Sequence, residues 1–128
     1  IFLGPERAAR ISPAASAHAA VVRFTIHADA PVVPMEPLRL VGSAVNRRTR
    51  SGEVLGSAER IAPMQALRAV TIDAAWQHFE EDVKGSIEVG KLADLVILSR
   101  SPLDDPEHID EIEVVETIIG GKTVYRRP

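Results

Sequence analysis

Cysteine is absent from the 128 residues, which excludes a disulfide framework and a thiolate metal site while leaving the compartment open. Aromatic residues are almost as scarce, with three Phe, one Trp and one Tyr, too few for a stacking platform that would hold nucleic acid. Positive charge is not in excess either. The net charge is -3 with both signs interspersed, so no basic stripe is available for a phosphate backbone. Long apolar runs are missing: none approaches the roughly 18 residues of a membrane helix, and the N-terminus lacks a signal-peptide pattern. The expectations are no nucleic-acid partner, no membrane partner and a cytoplasmic location. What is present is 45% hydrophobic residues, enough for one modest core. A complete (β/α)₈ barrel is excluded, because that fold typically needs about 250 residues. The chain begins Ile1-Phe2-Leu3-Gly4-Pro5 without Met, so it is expected to be a piece of something larger.

Asp29 stands out, a lone carboxylate closing the run Val21-Val22-Arg23-Phe24-Thr25-Ile26-His27-Ala28, with Pro31 cutting the strand off. Strand side chains alternate between faces. Val22, Phe24, Ile26 and Ala28 therefore share one face and Arg23, Thr25, His27 and Asp29 the other. An apolar face toward helices and a polar face toward an interior is the pattern of a barrel strand near its catalytic end. On the alternation alone, an ordinary edge strand with solvated polar residues and Asp29 opening a turn is the better account.

Around that strand the chain divides in two. Glu6 to Arg10 reads as a helical turn starting near Pro5, and Pro13 to Ala20 as a second short helix. Pro37 opens a helix with Leu38, Val41 and Val45 at helical spacing, and Arg47, Arg48 and Arg50 near its C-terminal end, where cations favour the dipole. A polar loop from Ser51 to Ala62 precedes a helix opened by Pro63, and Thr71 is expected to cap another running to about Phe79. Trp76 and Phe79 read as core residues. From Val83 the texture becomes β: a glycine-bounded turn at Gly85 to Lys91, a strand of buried type at Ala93 to Leu98, and two further strands, Glu113 to Ile119 and Lys122 to Arg126, joined by Gly120-Gly121. His18, His78 and His108 lack ligand spacing and read as surface or satisfied histidines. Lys84 and Lys91 border turns and read as solvated. The acids Asp104, Asp105, Glu111 and Glu113 read as a solvated loop.

The run Gly85-Ser86-Ile87-Glu88-Val89-Gly90-Lys91-Leu92-Ala93-Asp94-Leu95-Val96-Ile97-Leu98, followed by Thr117-Ile118-Ile119-Gly120-Gly121-Lys122-Thr123-Val124-Tyr125, resembles the C-terminal end of the metal-dependent amidohydrolase superfamily. Leu3-Gly4-Pro5-Glu6-Arg7, His27-Ala28-Asp29-Ala30-Pro31-Val32, Ala66 to Thr71 and Phe79 to Asp82 narrow the resemblance to the N-substituted formamide deformylase-like subgroup, amidohydrolase family 3. It implies an α/β fold in which residues 1–82 are the last strand and helices of a (β/α)₈ barrel and residues 83–128 are part of a small β-sandwich. It also implies an enzyme that hydrolyses a non-peptide, amide-like C–N bond of a small molecule, with a divalent metal, zinc by expectation.

Of the family's ligands only Asp29 carries over by position, as metal contact and proton shuttle. His27 is left between a metal role, at the spacing of a His-x-His pair, and a supporting place behind the acid, which is preferred because the family's ligand set is complete without it. Ala28 stands where this motif usually has a small hydroxyl or amide residue. The remaining ligands have no counterparts here, so the chain by itself is expected to hold no metal stably and to be inactive. Two other readings stay open: a non-catalytic β domain that self-associates through unpaired edges, giving a homo-oligomer, and a hydrolase or deaminase of the same superfamily acting on cyclic amides.

Overall fold

Proline opens three of the helices, because its fixed φ suits the first turn and its missing N–H is not needed there. The computed structural model describes residues 3–128; the Ile1-Phe2 start of the chain lies outside the described residues. Pro5 lies in the first turn of α1 (Gly4–Ala9), Pro37 begins α3 (Pro37–Asn46) and Pro63 begins α4 (Pro63–Val70). Between them lies α2 (Ala14–Ala19), and α5 (Ile72–Gln77) follows α4 directly. Short 3₁₀ turns occupy Ser57–Glu59 and Pro106–Glu111. The strands β1 (Leu95–Leu98), β2 (Val114–Ile119) and β3 (Lys122–Arg126) form one antiparallel sheet in that order.

The core gathers Val41 and Val45 of α3, Ile61, Ala66 of α4, and Ile109 and Ile112 from the connection between β1 and β2. Residues on both sides of position 83 thus share one apolar cluster. Phe24, Ile26 and Leu38 are partly buried against it.

Long-range polar contacts tie the helices together. Pro13 at the head of α2 offers no side-chain cap, and the buried Glu59 supplies one from outside. Its Oε2 accepts the Ser16 amide at 2.9 Å and its Oε1 accepts the Ser16 hydroxyl, satisfying one of the amides that a helix start leaves free. The Ser16 hydroxyl and then its amide hold the Glu59 carboxyl below the usual carboxylate range. Arg47 closes α3 in a left-handed conformation, φ 56°. Its guanidinium donates to the carbonyls of Ile11, Ser12 and Leu55 at 2.6, 3.0 and 3.0 Å, which binds the α1–α2 corner to the loop after α3.

Four expectations are corrected. Thr71 precedes α5 but does not cap it; its hydroxyl donates back to the Leu67 carbonyl at 2.7 Å, the competing bond open to a hydroxyl one turn on. Lys91 is not solvated. Its side chain is 11% exposed, and its ammonium donates to the Glu81 carbonyl, the Ser86 hydroxyl at 2.7 Å and the Glu88 carboxylate at 3.1 Å, three acceptors that compensate removal from water. Trp76 and Phe79 are not core: Trp76 is 39% and Phe79 91% exposed. Finally, β1 is not of buried type, with Leu95, Val96 and Ile97 all exposed. Phe79 and the β1 residues share a cause, since among the described residues no second layer covers them, whereas one face of the Trp76 ring meets the Arg23 guanidinium.

Candidate active site

Residues 22–28 form no hydrogen-bonded strand, and the expected alternation survives only in part. Phe24 and Ile26 are half-buried and Ala28 is buried, while Arg23, His27 and Asp29 are exposed; Val22, expected inward, is exposed, and Thr25, expected outward, is half-buried. Among the described residues no strand is paired with this segment, since the only sheet is β1-β2-β3. It is held instead by side chains. Arg23 Nε donates to Asp73 Oδ1 at 2.7 Å, and its guanidinium lies 4.6 Å from the centre of the Trp76 ring. Thr25 donates to Gln77 Oε1 at 2.6 Å. The lower half of the polar face is therefore occupied by α5, and the upper half, His27 and Asp29, stands open.

The chain turns at Asp29, whose backbone is left-handed, φ 52°, a conformation that Asp tolerates better than most residues. Two bonds hold this turn: the Asp29 amide donates to His27 Nδ1 at 3.1 Å, and the Val32 amide donates to the Asp29 carbonyl at 2.9 Å. Ala28, where a hydroxyl or amide side chain was the expected family residue, is 5% exposed and packs inward, so its methyl anchors the end of the segment. A cavity of about 520 Å³ opens beneath, lined by Phe24, Ile26, His27, Leu40 and Arg47 among others. A polar cavity of about 640 Å³ lies between α3 and the following loop. Asp29 lines neither. No group of three or more His, Asp and Glu side chains among the described residues could hold a metal ion.

Two of the other histidines are engaged in pairs. His18 Nε2 meets the Gln65 amide nitrogen, and Asp105 bonds His108 Nδ1 at 2.9 Å. That bond lowers the Asp105 carboxyl and raises the His108 imidazole relative to their ordinary values. Stability from a raised histidine is full below about pH 6.5 and is lost as pH rises through the folded value. Stability from a lowered aspartate is full above about pH 3.9 and is lost as pH falls through the folded value. The pair therefore contributes mainly between about pH 4 and 6.5. His108→Gln is expected to lower Tm by roughly 2 °C at pH 5.5 and by less at pH 8.5, a modest effect because both groups are exposed. Equal losses at the two pH values would refute the assignment.

The turn carrying Gly85 to Asp94 is built for shape. Lys91 staples its interior as described, Asp94 Oδ1 accepts the Gly120 amide at 2.8 Å, and Gly121 donates to the Ala93 carbonyl at 3.0 Å. Gly120 and Gly121 take φ 55° and 77°, the positive values that a two-residue hairpin turn requires. This joint of two glycine-rich segments lies inside a wider match. A family model described as "Amidohydrolase family" matches residues 2–125. This chain belongs to the amidohydrolase family.

N-substituted formamide deformylase of Arthrobacter pascens is 33% identical over 119 residues, covering 92% of this amidohydrolase-family chain and 22% of that protein. Protein LONG AFTER FAR-RED 3 of Arabidopsis thaliana is 36% identical over 103 residues, 80% of this chain and 18% of the relative. Among solved structures, an amidohydrolase from Thermotoga maritima superposes with a TM-score of 0.63 at 28% identity, covering 83% of this chain and 24% of that one. The chain thus spans about a fifth to a quarter of the length of these relatives. For this amidohydrolase-family chain the α/β character is established, with helices beside a small antiparallel sheet.

Glu59 and Arg47 were not singled out as the polar ties they form. Their partners lie 35 or more residues away in most of these bonds, and no periodic signal marks such pairs. Arg23 was placed on the polar face, but its ring and carboxylate partners on α5 have no local signature either.

Proposed function

We propose that this chain is the C-terminal part of a metal-dependent amidohydrolase, its residues 22–28 the last strand of a (β/α)₈ barrel and its β1–β3 sheet part of a small β-sandwich. The reaction is hydrolysis of a non-peptide, amide-like C–N bond in a small molecule. The observation that carries this is Asp29, an exposed acid at the end of a segment whose Phe24 and Ile26 pack on the core shared with α3 and α4. That is where barrel enzymes place catalytic groups. The share of the relatives that the chain spans, and the uncovered Phe79 and apolar residues of β1, support the same reading.

A divalent ion fits Asp29 as one ligand of a set, because an exposed carboxylate is a hard oxygen donor. One segment cannot complete a catalytic zinc site, which typically takes about three protein ligands. When bound, such an ion lowers the pKa of a water and polarises the substrate carbonyl. Asp29 takes the proton of the attacking water as the new C–O bond forms. It then delivers that proton to the nitrogen as the C–N bond breaks, so the amine leaves neutral. The neighbouring Arg23 and Thr25 are committed to α5 and hold the segment from below.

The isolated 128-residue chain, assayed with added zinc against formamide and other amide substrates, is expected to show no turnover above buffer, while the full-length protein turns over. Clear hydrolysis by the isolated chain would overturn the reading of an incomplete site. A second reading, self-association through the sheet, is favoured by the exposure of Leu95, Val96, Ile97 and Val124 and by the outer edges of β1 and β3, which no strand among the described residues pairs. Sedimentation of the same sample separates the two, since a clean monomer at high concentration counts against association.

A further inference from the structure

We infer that His27 is the positioning residue of Asp29: it holds the acid's backbone through Nδ1 and gives no ligand atom itself. This rests on the reading of Asp29 as a metal-binding acid. The geometry comes from one hydrogen bond with a fixed direction. The Asp29 amide can only donate, so His27 Nδ1, 3.1 Å away, accepts with its lone pair. An imidazole that accepts at Nδ1 carries its ring proton at Nε2. One nitrogen has spent its lone pair on the amide and the other has none, so neither is free for a metal.

The same bond explains the backbone. Asp29 sits at φ 52°, a left-handed conformation that costs an L-residue free energy unless something specifies it. His27 bonds its amide from one side and Val32 its carbonyl from the other. The buried Ala28 methyl fixes the residue between them. The two-residue spacing that suggests a His-x-His ligand pair is therefore also the spacing of a ring that reaches forward over one residue to the next amide. An asparagine at position 27 would make the same bond through its side-chain oxygen, as in an Asx turn, and it retains no imidazole.

This gives a test that separates position from ligation. In the full-length protein, ¹⁵N spectra of the histidine rings, with His27 identified by its loss in His27→Asn, are expected to show an unprotonated Nδ1 and a protonated Nε2, unchanged when zinc alone is added. By calorimetric zinc titration, His27→Ala is expected to weaken binding roughly 10–100-fold, the range for residues that orient ligands. His27→Asn should stay within about threefold of wild type, since it restores the acceptor. A zinc-dependent shift of the His27 ring nitrogens, or a His27→Asn variant as weak as His27→Ala, would overturn the inference and make the ring a ligand. Asp29→Asn separates the two layers: unchanged zinc affinity in that variant would sink the reading of Asp29 as a metal-binding acid, whereas the ring tautomer measured without metal would still decide the role of His27.

Discussion

Asp29→Asn is expected to lower kcat/KM of the full-length protein by roughly 10³-fold or more. Loss of a positioned acid–base group alone costs about 10²–10⁴-fold, and here the same group is the proposed metal contact. The substitution is close to a pure chemical change. The side chain is exposed, so packing is barely altered. The left-handed backbone at φ 52° is one that Asn accepts at least as readily as Asp, and the bond from the residue 29 amide to His27 needs only the main chain. What changes is that an amide cannot take the proton of a water or hand it to a departing amine, and that it is a weaker donor to a divalent ion. The check is steady-state kinetics on a formamide-type substrate, with Tm measured alongside. Activity within tenfold of wild type at unchanged stability would remove Asp29 from the chemistry.

Much of this site could be read from residue types. The alternation of residues 22–29 separates Phe24, Ile26 and Ala28, which turn inward, from Arg23, His27 and Asp29, which do not, as period two requires of a strand; it fails at Val22, which is exposed, and at Thr25, which is half-buried where it bonds Gln77. Pro37 and Pro63 opened their helices as their fixed φ requires. Gly120-Gly121 made its hairpin for the analogous reason. The misreadings have a different origin. An apolar side chain signals that it prefers burial but not what buries it. Trp76, Phe79 and β1 carry that signal; the described residues supply no cover for Phe79 or β1, and for Trp76 a guanidinium in place of an apolar layer. Lys91 was misjudged because a charge signals exposure on average, whereas three acceptors drawn from Glu81, Ser86 and Glu88 surround this one. The bond from Asp29 to His27 is local, yet it depends on a left-handed turn that a polar residue before Ala-Pro only weakly announces.

The largest effect on folding is expected at a residue with no side chain. Gly56 has φ 63°, and a Cβ placed there would lie 2.0 Å from the Ala9 carbonyl oxygen and 2.8 Å from its carbon, well inside any permitted contact. Both atoms are backbone, at the end of α1, so neither can swing aside as a side-chain tip would. Gly56 is also the residue before the Ser57–Glu59 turn that carries the Glu59 cap of α2. Displacing it pulls on Ser16 and, through the neighbouring Leu55 carbonyl, on the Arg47 tie. Gly56→Ala is therefore expected to destabilise by roughly 4 kcal/mol or more, the range reserved for overpacking combined with lost buried hydrogen bonds. For a chain of this size that is a fall in Tm of about 15 °C or failure to accumulate folded protein. Gly52→Ala is the control. Its φ is similar, 87°, but nothing lies within 4 Å of the added carbon, so only the left-handed conformational cost of about 1 kcal/mol applies. Thermal melts of the two variants separate contact from conformation: equal, small losses would mean that the α1 corner does not press on Gly56, and that the Glu59 and Arg47 ties do not depend on this close approach.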